Sequence, residues 1–109
     1  MVNSQQDALE IATKAHGALK RIYGPRLRGV YLYGSAARGQ LTPDSDIDIA
    51  IILDRITDRF DEHERTSELL SHLGLEYDTL VSFLFISETD YQKGRFAVHR
   101  IIKEEGIRA

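Results

Sequence analysis

The sequence contains no cysteine. That excludes disulfides and thiolate metal sites, and it suits a reducing compartment such as the cytoplasm. No uninterrupted apolar run approaches the ~20 residues needed to cross a bilayer, so no membrane role is expected. The opening stretch MVNSQQDALEIATKAHGALKRI carries Asp7 and Glu10 and lacks an apolar h-region, so no secretory signal is expected. The four histidines, His16, His63, His72 and His99, lack the HExxH type of ligand spacing, and each is expected on a surface or helix face. A stripe of interleaved aromatic and basic residues is also missing. With a net charge of −3, this argues against an extended nucleic-acid footprint. Repeats, linkers and low-complexity segments are absent, and 109 residues suffice for one domain and not for two.

What is present is a soluble globular composition, 42% hydrophobic, with its charge unevenly spread. Residues 1–40 carry a net +4 and residues 41–109 a net −7. The skew is either chance on solvated helix faces, or a basic edge for a phosphate-bearing ligand beside an acidic site that needs a cation. Ala8, Ala12, Ala15, Leu19 and Ile22 recur at helical spacing, predicting a helix over 4–23 with Ser4 as N-cap and Gly24-Pro25 as its stop. GVYLYG reads as a strand, SAAR as one or two helical turns, and GQLTPDS as a loop punctuated by Gly39, Pro43 and Ser45. DIDIAIIL is a strand that alternates first and then turns wholly apolar, as a strand entering a covered sheet would. A charged helix is predicted over 58–73, stopped by Gly74, followed by a third strand in YDTLVSFLFIS and a short turn capped by Ser87. GRFAVHRIIKEEG predicts a last helix with Phe96, Ile101 and Val98 facing inward and Gly106 at its end, and the final IRA is too short to assign. The fold class is therefore α/β (α+β), a single sheet of three or more strands packed against helices.

Two aspartates open the most apolar strand. Side chains alternate along a strand, so Asp46 and Asp48 share one face while Ile47 and Ile49 enter the core. Adjacent carboxylates resist ionising together, and a divalent cation removes that conflict. Mg²⁺ is held by one or two carboxylates with waters and substrate phosphates. A third acid is expected for a two-metal site, and Asp78, in the third strand, is the candidate; the simpler reading makes it a solvated acid of an edge strand. Upstream, Gly34-Ser35 follows a strand. Glycine permits a sharp turn and close approach of a ligand, Ser35 would open a helix whose N–H groups bind phosphate, and Arg38 lies one turn on. Tyr31 and Tyr33 beside this turn read as packing residues, with Tyr33 near enough to meet a base. The charged run DRFDEHERTSE reads as a solvated helix face or a partner surface.

Gly34-Ser35, a ten-residue insert, then Asp46-Ile47-Asp48 resembles the signature of the DNA polymerase beta-like nucleotidyltransferases, and GSAARGQLTPDSDIDIAI most resembles the minimal nucleotidyltransferases, the MNT proteins. The resemblance covers nearly the whole chain. It implies the polymerase beta-like fold and transfer of a nucleoside monophosphate from a nucleoside triphosphate to a hydroxyl. It further implies that Asp46 and Asp48 hold two Mg²⁺ ions, that Asp78 shares one and helps activate the acceptor, and that Gly34, Ser35 and Arg38 hold the β- and γ-phosphates. Larger members carry an added acceptor-binding domain for which 109 residues leave no room. Acceptor recognition would then come from a partner, from a dimer of the chain, or from the acceptor itself. Minimal members resemble the antitoxins of HEPN–MNT pairs, which implies ATP as donor and a tyrosine of a HEPN ribonuclease toxin as acceptor. Two other readings stay open: a binding module that neutralises its partner by occlusion, and a transferase acting on a nucleic acid or small molecule.

Overall fold

Ser4 opens the first helix by the mechanism its position suggests: its Oγ accepts a hydrogen bond from the Asp7 N–H at 3.1 Å. The structure is a computed structural model describing residues 2, 4–42 and 44–109, and Pro43 lies outside the described residues. Helix α1 (Gln5–Tyr23) buries Ala8, Ile11, Ala12, Ala15 and Leu19 and ends at Gly24, where a 3₁₀ turn begins. Ile22, expected on the buried stripe, is exposed, and Ile11 and Tyr23 are buried instead. The stripe holds through Leu19 and differs at its last turn, where Tyr23, not Ile22, turns in to meet Glu62.

Strand β1 (Leu27–Tyr33) and strand β2 (Ile47–Leu53) pair antiparallel. Helix α2 (Arg59–Tyr77) then crosses to β3 (Val81–Ser87), which runs parallel to β2. The short α3 (Glu88–Lys93), capped by Ser87, leads to α4 (Ala97–Glu105), which stops at Gly106. Strand β4 (Ile107–Arg108) returns antiparallel along β1. Among the described residues this makes one four-stranded mixed sheet in the order β3-β2-β1-β4.

Both faces of the sheet are covered, which explains the apolar half of β2. Ile47, Ile49, Ile51 and Leu53 join Ile11, Leu19 and Leu73 in the larger core beneath α1 and α2. Ala50 and Ile52 face the other way, against Ile86 and Ile102, with Tyr31, Tyr33 and Leu84 beside them. Asp48 lies on this second face near the start of the strand, where it is only half-buried.

Several expectations are corrected. Residues 34–39 form successive turns and not a helix. Helix α2 runs past Gly74 to Tyr77; its stop is Asp78, in the left-handed region at φ 50°, whose N–H bonds the Gly74 carbonyl. Aspartate tolerates that conformation better than most residues do. Phe96 precedes α4 as its N-cap and is exposed, as is Ile101. The buried residues of α4 are His99 and Ile102. His99, expected on a surface or helix face, lies on α4 and is buried, with its Nδ1 accepting the Phe96 N–H at 3.4 Å.

One polar cluster ties the elements that support β2. Glu62 of α2 is buried and accepts the Tyr23 hydroxyl at 2.9 Å and Arg26 Nη2 at 3.1 Å. Arg26 Nε reaches Asp54 at 3.1 Å, just beyond β2. Burial, then the bond to Glu62, pushes the Tyr23 hydroxyl well above its ordinary value, so it remains a donor.

Candidate functional site

The site forms where β1 ends and β2 begins. Tyr33 and Asp48 are directly opposed across the antiparallel pair, and the chain leaves β1 through Gly34. Gly34 sits at φ 76°, and a Cβ there would fall 2.5 Å from Asp48 Oδ2. Only glycine lets the turn lie this close to the carboxylate. The turn is pinned by the Arg38 N–H on the Gly34 carbonyl at 3.3 Å and the Gln40 N–H on the Ser35 carbonyl at 2.8 Å. Ala36 is buried beneath it, and Gln5 of α1 donates to the Ala37 carbonyl at 2.8 Å. Ser35 is thus half-buried in a fixed turn directly after the glycine.

Beyond the loop, Ser45 bonds back to Thr42, with its Oγ accepting the Thr42 N–H at 2.9 Å. Ile47 N–H donates to the Leu80 carbonyl at 2.8 Å, which fixes the start of β2 against the chain entering β3. Asp46, just before β2, is exposed, while Asp48 is half-buried. Burial first, and then the Asp46 charge, raise the Asp48 carboxyl above its usual value, and Arg38 opposes the rise. The Asp48 charge in turn adds to burial in pushing the Tyr33 hydroxyl up to about 12. Arg38 is exposed and spans from Gln40, 3.1 Å from its Nε, to Glu105 of α4, 3.4 Å from its Nη1.

Of the residues singled out in the sequence, Gly34, Arg38, Asp46 and Asp48 therefore act on one another, with Ser35 in the intervening turn. Asp78 does not join them. It is off β3, exposed at the end of α2, and among the described residues no group of three or more His, Asp or Glu is placed to hold one metal ion. The expected three-acid cluster is absent because the strand starts three residues after Asp78, at Val81. The residue that does lie beside Asp48 on β3 is Ser82. Sequence reasoning missed it, along with Glu105, because register between distant strands leaves no trace in local spacing.

The donor set still fits a hard cation. Two carboxylates converge from one strand end, and one of them is under a like-charge strain that a divalent ion relieves. Oxygen donors without cysteine or histidine suit Mg²⁺ better than a softer metal. Beside them, a glycine turn and an arginine offer N–H groups to an anion.

Residues 13–108 match the family described as Nucleotidyltransferase domain. A Methanocaldococcus jannaschii protein named "Putative protein adenylyltransferase" is 34% identical over 90 residues, covering 82% of this chain and 84% of that protein. A solved "putative nucleotidyltransferase from Sulfolobus solfataricus" shares the fold with a TM-score of 0.68 at 23% identity, over 95% of this chain and 80% of that one. A chain of the tri-AMPylated Shewanella oneidensis HEPN toxin in complex with MNT antitoxin superposes with a TM-score of 0.58 at 20% identity, over 93% of this chain and 70% of that one. With the family match spanning nearly the whole sheet and its flanking helices, the chain belongs to the Nucleotidyltransferase domain family and is a nucleotidyltransferase enzyme.

Proposed function

We propose that this chain is a Mg²⁺-dependent adenylyltransferase that moves AMP from ATP to a hydroxyl of a partner protein, with a HEPN ribonuclease toxin as the partner. The observation that carries the reading is the Gly34 turn laid against Asp48, which brings an anion-binding backbone and a cation-binding carboxylate pair to one point. The adenylyltransferase relative supports AMP as the transferred group, and the AMPylated toxin complex supports the acceptor class.

Asp46 and Asp48 would hold Mg²⁺, which when bound neutralises charge building on the α-phosphate. The Gly34–Ser35 turn presents backbone N–H groups to the terminal phosphates, and Arg38 supports them from the far side of the turn. Asp48 is kept in place by its opposition to Tyr33 and by the glycine it touches. The acceptor oxygen bonds to the α-phosphorus as the bridge between the α- and β-phosphates breaks. Pyrophosphate leaves with the bridging oxygen, and the acceptor proton passes to water. Catalysis of this kind rests on position and charge. Asp46 and Arg38 are both exposed, so the site is open to solvent and accessible to a macromolecular hydroxyl.

The test is incubation of the chain with α-labelled ATP, Mg²⁺ and a HEPN-type partner. The account predicts label on the partner that survives nuclease and is lost on protease treatment. Neutralisation of the partner with no label transferred would favour occlusion.

A further inference from the structure

We propose that this site is built for one divalent cation and not two, because Ser82 occupies the place on β3 from which a third carboxylate would complete a two-metal cluster. The inference rests on the nucleotidyltransferase reading above and concerns how that site is loaded. In the parallel pair, Asp48 is in register with Ser82, and the next pair on the same face is Ala50 with Leu84. Ala50 and Leu84 pack together in the smaller core, so Ser82 lies on the Asp48 side of the sheet. Adjacent strands are ~4.8 Å apart, within the span across which two carboxylates can share a cation. Across the other edge of β2, Asp48 faces Tyr33. Both cross-strand neighbours of Asp48 are therefore neutral hydroxyl residues.

Acids elsewhere do not fill the place. Asp78 lies four residues before Ser82, with its backbone locked as the α2 cap by its N–H on the Gly74 carbonyl, and with the Thr79 N–H on the same oxygen at 3.1 Å. Glu105 comes near the turn but is paired with Arg38. Two metals working in line sit ~3.5–4 Å apart, one on the leaving side and one on the entering side. Two carboxylates with triphosphate oxygens and water complete the shell of a single Mg²⁺. A second ion would have to share those carboxylates and would have none of its own. The entering hydroxyl then has no metal ion of its own and gives its proton to water.

The experiment counts Mn²⁺ by electron paramagnetic resonance on the full chain with α,β-methylene-ATP, with bound nucleotide measured in parallel. The expected result is one Mn²⁺ per bound nucleotide, unchanged in Asp78→Asn and Ser82→Ala, and rising to two in Ser82→Asp. Two ions on the wild-type chain, one of them lost in Asp78→Asn, would overturn the proposal. The wild-type count stands even where Ser82→Asp fails to fold. A chain that takes up neither nucleotide nor Mn²⁺ would refute the nucleotidyltransferase site itself, an outcome distinct from a count of two.

Discussion

Replacing Gly34 with alanine separates backbone strain from damage to the site. The new Cβ would lie 2.5 Å from Asp48 Oδ2, where an unstrained carbon–oxygen contact needs about 3.3 Å, so the carboxylate must move by roughly 1 Å. A carboxylate rotates at modest cost, so the stability loss comes mainly from placing alanine at φ 76°. That costs about 1–2 kcal/mol and lowers Tm by about 5–10 °C. The functional loss should be larger, because a displacement of that size in a reacting site costs on the order of 100-fold. Gly39 supplies the control. It sits in the same turn at φ 70°, with open space where a Cβ would go. Gly39→Ala should lower Tm by a similar amount and keep transfer within a few-fold of wild type. The assay is initial rate of AMP transfer, measured below the variants' melting transitions, beside a full thermal melt. Equal activity in Gly34→Ala and Gly39→Ala would refute the claim that Gly34 exists to admit Asp48.

Asp46→Asn and Asp48→Asn should each abolish transfer while the circular dichroism spectrum and the cooperative melt persist. Asp48→Asn should also stabilise the free chain slightly at pH 7. A carboxyl whose folded pKa is raised favours the native state when protonated, and that contribution is lost as pH rises from its unfolded to its folded pKa. For the same reason, cation uptake should fail on acidification at a higher pH than an ordinary carboxylate would give. Asp46→Asn should move the titration of Asp48 down and Arg38→Ala should move it up, as read by carboxyl carbon NMR. Arg26→Ala leaves the buried Glu62 with Tyr23 and the more distant Arg65. Because a third of the Arg26 side chain is exposed, the expected loss is about 2 kcal/mol and not the full buried-pair cost, checked by urea denaturation with an unchanged m-value.

What was legible in the sequence follows from where the signal is local. The β2 strand and its two aspartates could be read because alternation places Asp48 and the isoleucines on opposite faces, and burial imposes that pattern directly. Ser4, Ser87 and Gly106 were legible as caps because the cap chemistry sits in the residue itself. The end of α2 was not, since Gly74 and Asp78 both fit a helix stop and only the tertiary placement of β3 decides between them. Strand β4 was invisible because two residues carry no period; it exists through pairing with Tyr31 and Leu32, and the Ala109 carbonyl lies 2.9 Å from His16 Nδ1. Of the residues expected to face inward on α4, Val98 packs against the smaller core while Phe96 and Ile101 do not, because the helix's phase is set by Ile102 sharing that core with Ile52, fifty positions away. In the candidate site, the turn and the carboxylate pair follow from neighbours in sequence. The third position depends on register across a nineteen-residue helix, so Asp78 looked eligible and Ser82 did not.

The most direct measurement is calorimetric titration of the chain with ATP, with and without Mg²⁺, repeated on Asp48→Asn. The account predicts saturable uptake by the wild-type chain only when Mg²⁺ is present, and its loss in the variant. Equal uptake without the cation, or undiminished uptake by Asp48→Asn, would contradict it.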